Sequence, residues 1–219
     1  MPELPEVESI RRVLKNSLIN QKLQKYKIFD QRINRFNTVN PRNLGVLLEI
    51  YRKGKILQFN FKNNSIFFHL GMSGRLDLNG IKNKHTHGIF FFDEDVLHYD
   101  DIRKFGYIKI LKNDLANKQF SILGPDALSL SKLDKIFVMN KAKKSSTSIK
   151  KFLLNQKNIS GLGNIYVNEI LFLAGIHPHS VSFKLKDTNW NYIFLYIKKV
   201  LKKAIKNNGT TLSDMTYVL

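Results

Sequence analysis

The sequence predicts an α+β chain in two parts, a β-rich N-terminal domain led by one amphipathic helix and an all-helical C-terminal domain. Three observations carry this. Apolar residues recur at helical spacing over residues 5 to 18; short β-prone runs separated by turn signals fill residues 22 to 112; beyond about residue 132 the apolar pattern is helical again. A chain of 219 residues, 43% hydrophobic, can bury one sizeable core or two modest ones, and two domains are expected, at 1–125 and 126–219.

In the first helix Val7, Ile10, Val13, Leu14 and Leu18 share one face. Pro5 suits a first helical turn, and Glu6 and Glu8 then fall near the positive end of the helix, where carboxylates are stabilised. Ahead of it stand Pro2 and Glu3. Once Met1 is removed, Pro2 presents a secondary amine beside a carboxylate. An α-amino group with a pKa of about 8 keeps an unprotonated fraction at neutral pH that a lysine near 10.4 lacks, so it can attack an aldehyde or the acetal carbon of a sugar. Glu3 can then carry protons to the leaving group or the ring oxygen. The alternative is a frayed terminus leading into a capped helix.

The β-prone runs include Lys25-Tyr-Lys-Ile-Phe, Lys55-Ile-Leu-Gln-Phe-Asn-Phe, Ser65-Ile-Phe-Phe-His-Leu, Gly88-Ile-Phe-Phe-Phe and Tyr107-Ile-Lys-Ile-Leu, with turns at Asn63-Asn64 and Asp93-Glu-Asp. Strands at this spacing predict a sandwich or a barrel. Strand signals stop over 113–135, where Gly124-Pro125-Asp126 reads as a link. Helices are expected at 132–139, 147–156, 164–174 and 188–206. In the last, Trp190, Ile193, Phe194, Ile197, Val200, Leu201, Ala204 and Ile205 form a core stripe, with Lys198, Lys199, Lys202, Lys203 and Lys206 on the opposite, solvated face.

The formal charge is +19 and the pI near 10.0, which points to a polyanion, nucleic acid first. From residue 140 onward 13 Lys face 3 Asp or Glu, so the C-terminal part is the more basic. No apolar run reaches the roughly 18 residues of a membrane span, and no signal-peptide core is present, so a soluble, intracellular protein without membrane partners is expected. The absence of cysteine excludes disulfides and thiolate-bound zinc or iron–sulfur sites from this chain. His85, His87, His177 and His179 form two His-x-His pairs without acidic companions, and no metal site is expected.

A second informative stretch is Lys150-Lys-Phe-Leu-Leu-Asn-Gln followed by Lys157-Asn-Ile-Ser-Gly-Leu-Gly-Asn-Ile-Tyr-Val-Asn-Glu. Gly161 and Gly163 permit close backbone approach, and Asn164 opens a helix whose free N–H groups can receive a phosphate. An ordinary helical hairpin with glycine and asparagine caps explains the same residues.

Met-Pro-Glu-Leu-Pro-Glu-Val-Glu followed by Ser-Ile-Arg-Arg resembles the start of formamidopyrimidine-DNA glycosylases, bifunctional base-excision enzymes. Gly-Leu-Gly-Asn-Ile-Tyr, Glu169 and Ala-Gly-Ile-His-Pro at 174–178 are similar to that family's helix-two-turn-helix element. The resemblance covers nearly the whole chain, with its motifs in family order. It implies an N-terminal antiparallel β-sandwich with a catalytic N-terminal helix and a helix-two-turn-helix domain, with damaged double-stranded DNA in the cleft of a monomer. It implies excision of oxidised purines, formamidopyrimidine and 8-oxoguanine, then β/δ-elimination at the abasic site through a Pro2 Schiff base, in the bacterial cytoplasm at the nucleoid.

On this resemblance Pro2, Glu3, Glu6 and Lys55, in Arg52-Lys-Gly-Lys-Ile, are catalytic. Met72, Arg103 and Phe105, in His69-Leu-Gly-Met-Ser-Gly and Asp101-Ile-Arg-Lys-Phe-Gly, fill the gap left by an extruded base. His69, His85, His87, Lys150, Gly163, Asn164 and Tyr166 complete the expected DNA contacts. Ser146 stands where the family often has a basic residue. Gly209-Thr-Thr-Leu-Ser-Asp matches the approach to the family's base-recognition loop, after which a zinc ribbon would follow; with no cysteine present, no zinc or other cofactor is expected. The rival readings are the sister endonuclease acting on oxidised pyrimidines and a truncated, non-catalytic DNA-binding module.

Overall fold

The computed structural model describes residues 2–34 and 44–207; the Gly209–Asp214 stretch lies outside them. Helix α1 spans Leu4–Leu18, with Pro5 in its first turn and Glu3 at the N-cap. The Glu6 carboxylate accepts the Glu3 backbone N–H at 2.9 Å, which satisfies one of the donors a helix start leaves open.

Among the described residues eight antiparallel strands follow: β1 Lys25–Ile28, β2 Leu47–Lys53, β3 Ile56–Phe61, β4 Asn64–His69, β5 Gly74–Leu78, β6 Thr86–Phe91, β7 Val96–Asp101 and β8 Tyr107–Lys112. They form two four-stranded sheets, ordered β1-β6-β7-β5 and β2-β3-β4-β8. The inner faces bury one core, in which Phe68 of one sheet meets Phe90 of the other edge to face at 5.2 Å. Of the two architectures the strand spacing permits, the sandwich forms.

The stripe Val7, Ile10, Leu14 and Leu18 of α1 packs into this β core, while Leu4, one turn earlier, belongs to the core of the helical domain. One helix therefore ties both cores together, and Pro2 and Glu3 sit at its domain-crossing end.

Helix α2, Asn113–Ser121, occupies part of the stretch expected to be a link. Its two apolar anchors, Ala116 and Phe120, pack on Phe67 and Ile56 at the outer face of the second sheet. The helical domain comprises α3 Lys132–Lys143, α4 Ile149–Leu154, α5 Asn164–Leu173 and α6 Asp187–Lys206, with a single turn at Ser182–Lys184 before α6. The α6 stripe from Trp190 to Ile205 is buried as its period requires, except that Val200 is only partly covered. Among the described residues no helix is long and apolar enough to cross a membrane.

Candidate active site at the head of the first helix

Glu3 is 1% exposed, and its carboxylate lies at the N-terminus of α5, where Oε1 accepts the Ile165 backbone N–H at 2.9 Å. Gly163, the N-cap of α5, makes this possible: a Cβ there would stand 2.2 Å from Glu3 Cδ. Gly161, at φ +105°, lies against Leu4, and its carbonyl accepts the Leu4 N–H at 3.1 Å. The Gly-Leu-Gly turn is thus a receptor for the chain's own N-terminal segment. The start of α5, expected to receive a phosphate, holds this carboxylate through the Ile165 N–H. Of the expected clamp, the exposed Asn164 remains available to a ligand.

Burial pushes the Glu3 carboxyl above its ordinary pKa, outweighing the pull of the Ile165, Gly163 and Tyr166 N–H groups and the charge of Lys55. Its second oxygen, Oε2, is buried without a hydrogen-bond partner among the described residues. A carboxyl in that state holds its proton more tightly than a free one, which suits a proton donor. Glu6 is fixed beside it, accepting from Glu3 N and, at 2.5 Å, from the Tyr166 hydroxyl. Tyr166, expected among the DNA contacts, is fully buried and anchors Glu6. Burial also lowers the pKa of Lys55, against the opposing pull of Glu3 and Glu6.

A cleft of about 350 Å³ opens between the domains, lined by Lys55, His69 and Gly71 on one side and Gln156, Gly163 and Asn164 on the other. Four sequence-predicted residues, Lys55, His69, Gly163 and Asn164, therefore share one cavity. His69 stacks on Tyr107 with ring centroids 5.2 Å apart. Gln156, which sequence reasoning missed, accepts the Gly161 N–H through Oε1 and donates through Nε2 to the carbonyls of Leu154 and Leu162. It sets the shape of the glycine turn.

The Lys55-bearing hairpin is held by a buried charge network that was also missed. Arg52, with a side chain 6% exposed, donates to Glu8 Oε2 at 3.0 Å and to Asp126 Oδ2 at 2.7 Å. The Gly54 N–H adds a 2.7 Å bond to the same Asp126 oxygen. Burial alone would raise the pKa of Glu8, but Arg11, Arg52 and Arg12 bring it down to about 2. Asp126, read from sequence as part of a link, is the residue through which the helical domain grips the turn before Lys55.

Met72 and Phe105 are 41% and 55% exposed, and the Arg103 guanidinium lies over the Phe105 ring at 4.8 Å. Large apolar side chains left in water at loop tips suit a surface that inserts into a partner. Buried Asp101 shapes their support: Oδ1 accepts from Ser73 Oγ at 2.6 Å and Oδ2 from the Gly106 N–H at 2.9 Å, while Ser73 Oγ accepts the Arg103 N–H at 2.9 Å. His87, expected at a phosphate, is buried and bonds through Nε2 to the Asp101 carbonyl at 2.9 Å, bracing this loop from behind. His85 is half-buried with its N–H on Asn83 Oδ1, and Lys150 is half-buried in the first turn of α4; neither lines the cleft. Among the described residues no group of three or more His, Asp or Glu is placed to hold a metal.

Residues 1–108 match the model of the formamidopyrimidine-DNA glycosylase N-terminal domain, and residues 123–216 that of the formamidopyrimidine-DNA glycosylase H2TH domain. The chain is 36% identical to the formamidopyrimidine-DNA glycosylase of Psychromonas ingrahamii, over 98% of this chain and 82% of that protein. It is also 36% identical to the enzyme of that name from Solibacter usitatus, over 98% and 81%. The fold superposes with a TM-score of 0.89 on the formamidopyrimidine-DNA glycosylase of Lactococcus lactis bound non-covalently to DNA containing an abasic site, at 32% identity and covering 97% and 83% of the two chains. The chain belongs to the formamidopyrimidine-DNA glycosylase family.

Proposed function

We propose that this DNA glycosylase of base-excision repair removes oxidised purines, formamidopyrimidines and 8-oxoguanine, from duplex DNA and then cleaves the abasic site as a lyase, with Pro2 as nucleophile and Glu3 as proton donor. With Met1 removed, the Pro2 amine attacks C1′ of the damaged nucleotide while Glu3 delivers its proton to the sugar ring oxygen or the departing base. The C1′–N bond to the base breaks, the C1′–O4′ bond opens, the base and O4′ take up the Glu3 proton and the proton shed by the Pro2 amine, and an iminium joins Pro2 to the ring-opened sugar. Loss of a C2′ proton expels the 3′ phosphate, a second elimination expels the 5′ phosphate, and water releases the amine. Lys55, beside both carboxylates, suits the role of proton donor and phosphate contact in the elimination.

The observation that carries this reading is the state of Glu3: adjacent in sequence to Pro2, buried, with an unpartnered oxygen and a raised affinity for its proton. That combination is costly in a folded protein and useful to a general acid. The test separates the two steps. Glu3→Gln should lower single-turnover excision of 8-oxoguanine by about 10²- to 10⁴-fold, the span general acid catalysis supplies. Cleavage of a preformed abasic site should fall much less, since no base has to leave. Equal loss of both removes the proposed role.

A further inference from the structure

Resting on the reading of Arg103 and Phe105 as the side chains that fill the gap left by an extruded base, we infer that Asp30 is a positioning residue for their loop. Through Lys104 it holds residues 102–105 in the shape that presents both side chains to DNA.

Among the described residues three without glycine's freedom adopt a positive φ: Asn20, Asn79 and Lys104. Asparagine visits the left-handed region readily; lysine does so only where its surroundings compel it. The bonds of Asp101 and Ser73 fix Arg103 N and Gly106 N at the two ends of the loop, but they do not reach the Lys104 side chain. Asp30 does, from the segment after β1, with its Oδ2 2.9 Å from Lys104 Nζ.

Asp30 is itself fixed. It accepts from the Arg32 backbone N–H at 2.9 Å and from the Arg32 guanidinium at 3.1 and 2.8 Å, and its side chain is 13% exposed. Arg32 first and Lys104 second hold its carboxyl well below the usual carboxylate range, so it stays charged at any pH at which the enzyme works. An anchored acid of this kind can dictate where a neighbouring backbone goes. Its sign is informative too. In a chain of net charge +19, a carboxylate beside a DNA-facing loop opposes attraction to phosphate, so affinity alone does not account for it.

The two effects of Asp30 point in opposite directions, and that separates positioning from plain electrostatics. Asp30→Asn removes a negative charge and should leave binding to undamaged duplex equal or tighter at low salt. It should also loosen the loop, so that hydrogen–deuterium exchange of the peptide spanning 101–107 in the free full-length protein speeds up several-fold. Excision of 8-oxoguanine should slow, and the dependence of excision on the base opposite the lesion should shrink, because Arg103 no longer meets the orphaned base in a fixed pose. Asp30→Glu should restore part of both. Arg103→Ala serves as the control for the underlying reading. If Arg103→Ala changes the opposite-base preference while Asp30→Asn leaves both that preference and the exchange rate at wild-type values, Asp30 has no positioning role. If Arg103→Ala itself leaves the preference untouched, the reading of the loop fails, and the exchange rate alone decides whether Asp30 orders it.

Discussion

Ile165 donates its backbone N–H to Glu3 Oε1 at 2.9 Å across 162 positions of sequence, so the acid at the head of the first helix is held by the start of the fifth. Assembly of the active site is therefore the same event as docking of the two domains. Glu3 is buried with a raised pKa, and the sign of the linkage follows. The unfolded chain releases this proton at a lower pH than the folded one, so stability is lost as pH rises from the unfolded carboxylate range through the folded pKa. Glu3→Gln should raise Tm at pH 8, and the gain should vanish below about pH 4, where both states are protonated. A Tm that falls at pH 8 on this substitution contradicts the burial account.

Gly163→Ala tests the receptor turn. The φ of Gly163 is −130°, ordinary for any residue, so the added methyl acts through contact alone, at 2.2 Å from Glu3 Cδ. Displacing the carboxylate should cost about 1–3 kcal/mol of stability, as overpacking does. It should also remove most of the general acid contribution, so excision falls by at least about 10²-fold. Thermal melting and single-turnover excision together check this; a melt displaced with excision intact contradicts it.

The Arg52 network predicts an acid limit to stability. Glu8, folded with a pKa of about 2 against an ordinary value of 4.5, contributes stability that is present above the unfolded pKa and lost as pH falls toward 2. Arg52→Met leaves Glu8 and Asp126 without their shared cation, and removing one partner of a buried pair costs roughly 3–5 kcal/mol. Urea denaturation at pH 7 and pH 3 should show that cost shrinking at the lower pH, where Glu8 is closer to protonation. An equal cost at both would mean that packing and not charge holds the hairpin.

DNA affinity should fall steeply with salt, with a log–log slope of about −0.9 for each phosphate neutralised on duplex DNA. Asn164, exposed at the rim of the cleft, should contribute equally to damaged and undamaged duplex, since a phosphate contact carries no base information. Fluorescence anisotropy of Asn164→Ala with both duplexes checks it. A loss confined to the damaged duplex would move Asn164 from phosphate holding to base reading.

What the sequence disclosed, and what it hid, follows from where each signal resides. Helices α1 and α6 are legible because a long apolar stripe at one period has few other solutions. Strands β2, β5 and β7 are not: Glu49 and Arg52, Arg75 and Asp77, and His98 and Asp100 place charged or polar groups where a β-prone run is sought, and ion pairs made only in the fold accommodate all of these but His98. Helix α2 rests on Ala116 and Phe120, too few anchors to show a period. At the site, motif order named the right segments but not which way each side chain faces. Tyr166 and His87 point inward to brace Glu6 and Asp101, while Met72 and Phe105, which local pattern alone reads as core, stand in solvent. The Glu8–Arg52–Asp126 network is invisible in sequence because its members lie 44 and 74 positions apart.

The central claim is that Pro2 is the nucleophile, and borohydride trapping tests it most directly. Full-length protein with Met1 removed, incubated with duplex DNA containing an abasic site and reduced with borohydride, should give one covalent adduct that peptide mapping assigns to Pro2. Protein in which Met1 is retained should give none. An adduct on Lys55 or another lysine, or no adduct while strand cleavage proceeds, contradicts the account.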